Sequence, residues 1–275
     1  MSGARTLLVL AAVLAPMTAG AEVPGCSPAP GLEAVLGPGR ALLLGEIHGT
    51  NEAPEYVATV ACHALADDLA VTIALELPWS EEPVVRDFVA SSGGEAEASL
   101  ILDLPFWSKP YQDGRTSQAM LALLEVARAW SQSGVEVEVI LLDEPADFAR
   151  RDEWMARRLL AAVANSPKSF FIALTGNLHN QTAARSGRMG ERVSGALGKE
   201  RVVSLKMNHA GGSAWICEAT QGCGSLELGD REAEPKGRVT LFPTPDSRGY
   251  DGFFAVGTLS ASPPARDLDS RPSVE

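Results

Sequence analysis

Two of the four histidines in this chain, His48 and His179, each stand third after a glycine that closes an apolar run. The first run reads Ala41-Leu-Leu-Leu-Gly45-Glu46-Ile47-His48. The second reads Phe170-Phe-Ile-Ala-Leu-Thr-Gly176-Asn177-Leu178-His179. Each is followed, after a helix-length interval, by another apolar run, Val71 to Glu76 in one case and Arg201 to Met207 in the other. Glu76 stands as far from Gly45 as Met207 does from Gly176. A lone Gly-x-x-His is most often a histidine that caps a helix or bonds a buried carbonyl. Two copies in matched settings predict a site where two strand–turn–helix–strand units meet.

Carboxylates accompany these histidines. Glu46 lies inside the first motif, and Glu76 and Asp143 close two further strand-like runs. Imidazole nitrogen and carboxylate oxygen are the usual ligands of zinc, manganese or iron, so Glu46, His48, Glu76 and His179 form a candidate set for a divalent metal. The same groups can work without one. A glutamate whose pKa is raised by burial beside other carboxylates would then be the general base, with the histidines stabilising or relaying charge. The residues leave both chemistries open.

The elements that must position them read as an alternation of strands and helices. Strands are expected at 41–45, 71–76, 135–142, 170–175, 201–206 and 252–258, and helices at 52–67, 117–132, 147–164 and 182–197. This predicts an α/β fold with a mainly parallel central sheet, helices on both faces, and two pseudo-repeats. The strands lack polar–apolar alternation, as expected when both faces are covered. Val135-Glu-Val-Glu-Val139 is the exception and suggests a partly exposed start. In such sheets ligands gather beyond the carboxyl ends of the strands, which is where both motifs fall.

Residues 78–115 interrupt the pattern with Trp79, Gly93-Gly94, Trp107, Tyr111 and several prolines. They read as a lid-like insertion or as a helical excursion with its own packing. If the segment folds back over the strand ends, Arg115 pairs with a site carboxylate or a substrate carboxylate, and Trp107 walls the pocket. Guanidinium suits that role because it binds carboxylates bidentately. His63, inside a helix, reads as structural. His209 follows the strand at 201–206 and could reach the site edge. There is no Gly-x-Ser-x-Gly elbow, P-loop or dinucleotide fingerprint.

Residues 1–21 read as a secretory signal, with Arg5, an apolar core from Leu7 to Leu14 and Ala19-Gly20-Ala21 at the cleavage site. The apolar stretch is too short to span a bilayer, so no integral membrane segment is expected after cleavage. Gly25-Cys26 resembles the end of a lipobox, but Pro24 fits it poorly, and lipid anchoring at Cys26 is not expected. The destination is then the periplasm or the exterior. Residues 22–260 form a single domain, and 261–275, rich in Pro, Ser and charge, a disordered tail. Cysteines 26, 62, 217 and 223 are even in number in an exported chain, favouring disulfides Cys26–Cys62 and Cys217–Cys223. The formal net charge of −12 argues against nucleic acid or anionic membrane as a partner and leaves a small molecule or peptide as substrate.

Leu44-Gly45-Glu46-Ile47-His48-Gly49-Thr50-Asn51-Glu52 resembles the opening motif of the superfamily that joins erythromycin esterases, ChaN-like haem-binding proteins, TraB and Tiki. Arg151-Asp152-Glu153-Trp154-Met155-Ala156, leading into Phe171 to His179, resembles that group's second signature. The resemblance covers about residues 39–208. Tiki proteins use paired Gly-x-x-His motifs and acidic residues as metal-dependent peptidases, which implies roles here for His48, His179, Glu46 and Glu76. Erythromycin esterases hydrolyse a macrolactone without metal around a similar motif with one residue more between Glu and His. ChaN-like proteins bind haem, with tyrosine as an iron ligand. The resemblance therefore implies an exported, metal-assisted hydrolase of a peptide or ester bond, with Glu46 or Glu76 as base and His48 and His179 as metal ligands or oxyanion stabilisers. A haem- or iron-binding protein without turnover is the alternative; Tyr56, Tyr111 and Tyr250 are its available tyrosines, and Trp107 with Tyr111 its apolar patch.

Overall fold

A computed structural model describes residues 25–144, 147–218 and 222–266. The expected signal, residues 1–21, lies outside the described residues. The strands are β1 (Ala41–Glu46), β2 (Val71–Pro78), β3 (Val137–Asp143), β4 (Phe170–Gly176), β5 (Val202–Glu218), β6 (Gly222–Leu228), β7 (Val239–Leu241) and β8 (Gly252–Leu259). The helices are α1 (Glu52–Ala66), α2 (Glu82–Ala90), α3 (Glu95–Leu102), α4 (Pro105–Ser108), α5 (Gln118–Gln132), α6 (Arg151–Asn165) and α7 (Met189–Leu197).

All eight strands join one sheet in the order β3-β2-β4-β1-β5-β8-β7, with β6 paired to β5. Every pairing from β3 to β8 is parallel, while β7 and β6 run antiparallel to their partners. The strands read as unbroken apolar runs because successive side chains feed two different cores. Leu42, Leu44, Ile73, Leu75, Ile172 and Leu174 point to the face covered by α1, α2 and α5. Leu43, Ala74, Phe171 and Ala173 point to the face covered by α6 and α7, against Met155, Leu159, Met189 and Val193. Each fully buried Leu or Ile contributes roughly 1.5–3 kcal/mol of hydrophobic stabilisation. β3 begins half-exposed at Val137 and Glu138 before turning buried, as its alternation implied.

The motif strands β1 and β4 are neighbours, with β2 outside β4 and β5 outside β1. The likeness of the two motifs does not extend to their surroundings. The 15-residue α1 follows the first almost at once, whereas the nine-residue α7 begins only at Met189, after turns where a helix from 182 was expected. Sequence also missed β6, β7 and the far half of β5. The expected strand stopped at 206, but β5 runs on, and Gly211 and Gly212, at φ of 95° and 99°, kink it and let it continue into the β6 hairpin.

Residues 78–115 form a helical excursion rather than an open lid. α2 packs on α5 and β3, and Trp107 is fully buried in the larger core. The expected disorder from residue 261 does not hold for 261–266. Ser262 is buried and its Oγ accepts the Ala119 N–H, while Ala265 N–H donates to Thr116 O. Those bonds tie the segment to the start of α5. Both expected disulfides are present. Among the described residues no helix is long and apolar enough to cross a membrane.

Replacing Trp107 with Ala is expected to destabilise the fold by about 3–5 kcal/mol in equilibrium denaturation, the usual cost of emptying a buried aromatic site. A loss below about 1 kcal/mol would mean that the segment is an open lid after all.

Candidate active site

Pairing Glu46 with Gly176 across β1 and β4 sets the two Gly-x-x-His turns side by side. The Asn177 N–H donates to Glu46 O at 3.0 Å and closes the gap between them. Neither glycine is needed for an unusual φ; both are needed for close approach. A Cβ on Gly45 would meet Asn177 Oδ1 at 2.8 Å, and one on Gly176 would meet His48 Nε2 at 3.1 Å. β2 adds Glu76 and β3 adds Asp143 from the same edge. The result is an open cavity of about 360 Å³ lined by Glu46, His48, Glu76, Asp113, Arg115, Arg151, Leu178 and His179, among others.

Each histidine is held by its own carboxylate. His48 Nδ1 lies 2.9 Å from Glu46 Oε1, and His179 Nδ1 lies 2.9 Å from Asp152 Oδ1. Asp152 is fixed in turn by the Met189 N–H at 2.8 Å and by Arg188 at 3.2 Å. The opposite ring nitrogens converge on one atom: His48 Nε2 is 3.5 Å and His179 Nε2 is 3.8 Å from Glu76 Oε1. The two imidazole side chains are 26% and 15% exposed, so solutes can reach them.

Two guanidinium groups close the back of the site. Arg151 donates to Asp143 through Nε (2.6 Å) and Nη2 (2.7 Å) and to Glu76 Oε1 through Nη2 (2.5 Å). Arg115 donates to Asp143 (2.9 Å), to Glu76 (3.3 Å) and, through Nε and Nη2, to both oxygens of Asp113. Gly176 adds its N–H to Glu76 Oε2 at 2.6 Å. The expected pairing of Arg115 with a site carboxylate is therefore present.

These neighbours reverse the electrostatics that sequence implied for Glu76. Burial favours its neutral form, but the imidazolium of His48 and the guanidinium of Arg151 outweigh burial and hold its pKa well below the usual carboxylate range. For His48, burial favours the neutral ring. Glu76 and Glu46 outweigh that and push its pKa up to about 10, although water at its exposed edge screens part of their attraction. At neutral pH the resting site thus holds an ionised Glu76 beside an imidazolium His48. A glutamate general base with a raised pKa is not what surrounds Glu76.

The same neighbours decide the fit of a metal. For Glu46, His48, Glu76 and His179 to close on a divalent cation, Arg151 would have to release Glu76 Oε1 and His48 would have to lose a firmly held proton. Among the described residues no group of three or more His, Cys, Asp or Glu side chains is disposed to hold a metal ion. The donor set as arranged does not fit one, because its negative charge is already matched by guanidinium and imidazolium.

All five residues singled out from sequence, Glu46, His48, Glu76, Arg115 and His179, line this one cavity. Trp107 does not wall it, being buried beneath the surface. His63 Nε2 lies 2.9 Å from Ser27 O, and buried His209 accepts the Gly211 N–H; neither lines the cavity. Sequence reasoning gave no role to Arg151 or Asp152. Their signal was the Arg-Asp pair opening the helix after β3, within the stretch that carried the family resemblance.

No family model and no curated protein sequence matches the chain. Solved structures do. A protein from Bacillus cereus matches with TM-score 0.63 at 10% identity, over 86% of this chain and 92% of that one. A succinoglycan biosynthesis protein matches with TM-score 0.60 at 9% identity, over 84% and 91%. A mutant of the erythromycin esterase EreC in its open conformation matches with TM-score 0.58 at 12% identity, over 82% and 92%. At such identities the likeness is one of fold. The resemblance read from the two motifs is matched by an α/β architecture shared with an erythromycin esterase structure.

Proposed function

We propose that this chain is an exported hydrolase that transfers the acyl group of an ester or peptide bond to water, using two carboxylate-held histidines and no tightly bound metal. The convergence of both Nε2 atoms on Glu76 Oε1 at an open cavity is the observation that carries the reading. A carboxylate that takes the Nδ1–H of an imidazole fixes its tautomer, turns Nε2 into an acceptor and stabilises the imidazolium formed on proton transfer.

The two rings take different parts. His179, backed by Asp152, accepts the proton of the attacking water. His48, an imidazolium between Glu46 and Glu76, donates to the carbonyl oxygen as charge develops there or to the departing group. Glu76 remains ionised and sets the angle of both rings, so the base is a histidine rather than Glu46 or Glu76. Arg115 and Arg151 keep Glu76 and Asp143 in place and present positive edges to an anionic intermediate. The two disulfides among the described residues suit an oxidising compartment, the periplasm or the exterior. Haem binding has less behind it. Trp107 is buried, as are Tyr56 and Tyr250, and the Tyr111 hydroxyl donates to Cys217 O.

Esterase and peptidase panels on the mature protein are expected to reveal turnover that survives excess chelator. His48→Ala and His179→Ala should each lower kcat by about 10²- to 10⁴-fold, measured on the fraction of each variant that is folded. Loss of activity to chelator, restored by zinc or manganese, would return the metal-assisted mechanism. A Soret shift on titration with hemin at one site per chain would favour the binding reading.

Stability should follow pH in two limbs. The folded pKa of His48 is raised, so its pairing stabilises the fold fully below about 6.5 and is lost as pH climbs through about 10. The folded pKa of Glu76 is lowered, so its contribution is present above about 4.5 and is lost as pH falls through the lowered value. Glu76→Gln removes the partner of both limbs. Denaturation of this variant across pH is expected to give a flatter profile on each side, and an unchanged alkaline limb would show that His48 is not held by Glu76.

A further inference from the structure

We propose that the substrate carries an extended apolar part beside its scissile bond, and that Leu178, Phe148 and Trp79 form the subsite for that part. This rests on the hydrolase reading above and names the substrate class. Large apolar side chains are exposed at few places among the described residues, and these three share one edge. Trp79 directly follows β2, Phe148 lies in the short 3-10 turn that follows β3, and Leu178 lies in the turn after β4. The order β3-β2-β4 makes those strands neighbours, so their carboxyl-end loops leave the same edge of the sheet as the cavity. Leu178 lines the cavity itself, next to His179.

Phe148 is 81%, Leu178 55% and Trp79 43% exposed. Trp79 is braced rather than loose. Its indole N–H donates to Glu144, and the Arg158 guanidinium lies 5.6 Å from its ring centroid. Apolar side chains gathered at one edge of a protein mark a binding surface, whereas scattered ones need no explanation.

The cavity decides the occupant. Its volume of about 360 Å³ is at the small end for a ligand site, and most of its named walls are charged. It takes the scissile group and little more. The remainder of the substrate must lie over the rim, and the loops after β2, β3 and β4 each expose one large apolar side chain there, Trp79, Phe148 and Leu178. The net charge of −12 sets the protein against an anionic lipid surface, which leaves a single amphipathic molecule as occupant.

The test pairs hydrolysis of p-nitrophenyl esters from acetyl to decanoyl with calorimetry of decanoate and butyrate binding. In the intact protein kcat/KM should rise with acyl length, and decanoate but not butyrate should bind. Leu178→Ser and Phe148→Ser should each flatten that rise and weaken decanoate by about tenfold, the worth of one such side chain taken out of water. Hydrolysis independent of acyl length, or absence of decanoate binding, overturns the subsite and leaves the hydrolase reading standing. Decanoate binding without turnover of any ester keeps the subsite and overturns the hydrolase reading. Co-sedimentation with phosphatidylcholine vesicles, or self-association, that Phe148→Ser abolishes would overturn the proposal in favour of a membrane surface or a second copy.

Discussion

Glu76 is a buried, ionised carboxylate, and most of the site is the set of groups that make its charge tolerable. Moving a carboxylate out of water carries an effective penalty of several kcal/mol unless partners repay it. Here one oxygen takes the Gly176 N–H and the other takes Arg151 and Arg115, with two imidazoles just beyond. The arginines bring a requirement of their own, which Asp143 and Asp113 meet. Removing one member would strand a charge on another. That interdependence keeps the histidines at a fixed separation in a cavity that is otherwise open.

The fold supplies this arrangement through a few placements. Parallel pairing of β1 with β4 brings two turns together that lie far apart in sequence, and the neighbouring β2 delivers Glu76 beneath them. The opening of α6 does two jobs with consecutive residues. Arg151 faces Glu76 and Asp143, while Asp152 faces His179. The excursion from Pro78 to Arg115 lines the cavity only with its end, while most of it packs as helices on the core.

Much of this was legible from sequence, and the gaps have physical causes. Apolar runs at 41–45, 71–76 and 170–175 announced strands covered on both sides, and the matched settings of His48 and His179 announced a shared site. The convergence of Glu46, Glu76 and Arg115 followed from strand ends sharing one edge. Charge balance did not follow, because a carboxylate's pKa depends on what faces it from other elements. Arg151 was read as part of a signature and not as a partner, so Glu76 looked like a base or a metal ligand. The packing of Ser262 and Ala265 escaped notice because a Pro- and Ser-rich composition cannot reveal backbone bonds to a distant helix. The length of β5 escaped because its apolar run gives way to Asn208 and His209 well before the strand ends.

The protonation of His48 bears most directly on this account, since a metal ligand or a simple base would have to be neutral there. Imidazole nitrogen shifts of His48, followed by NMR across the pH range in the metal-free protein, read it without reference to any substrate. A ring that stays an imidazolium through neutral pH and releases its proton only near 10 is the predicted result. A ring already neutral at pH 7 would contradict the account, because Glu76 would then not be the charge around which the site is built.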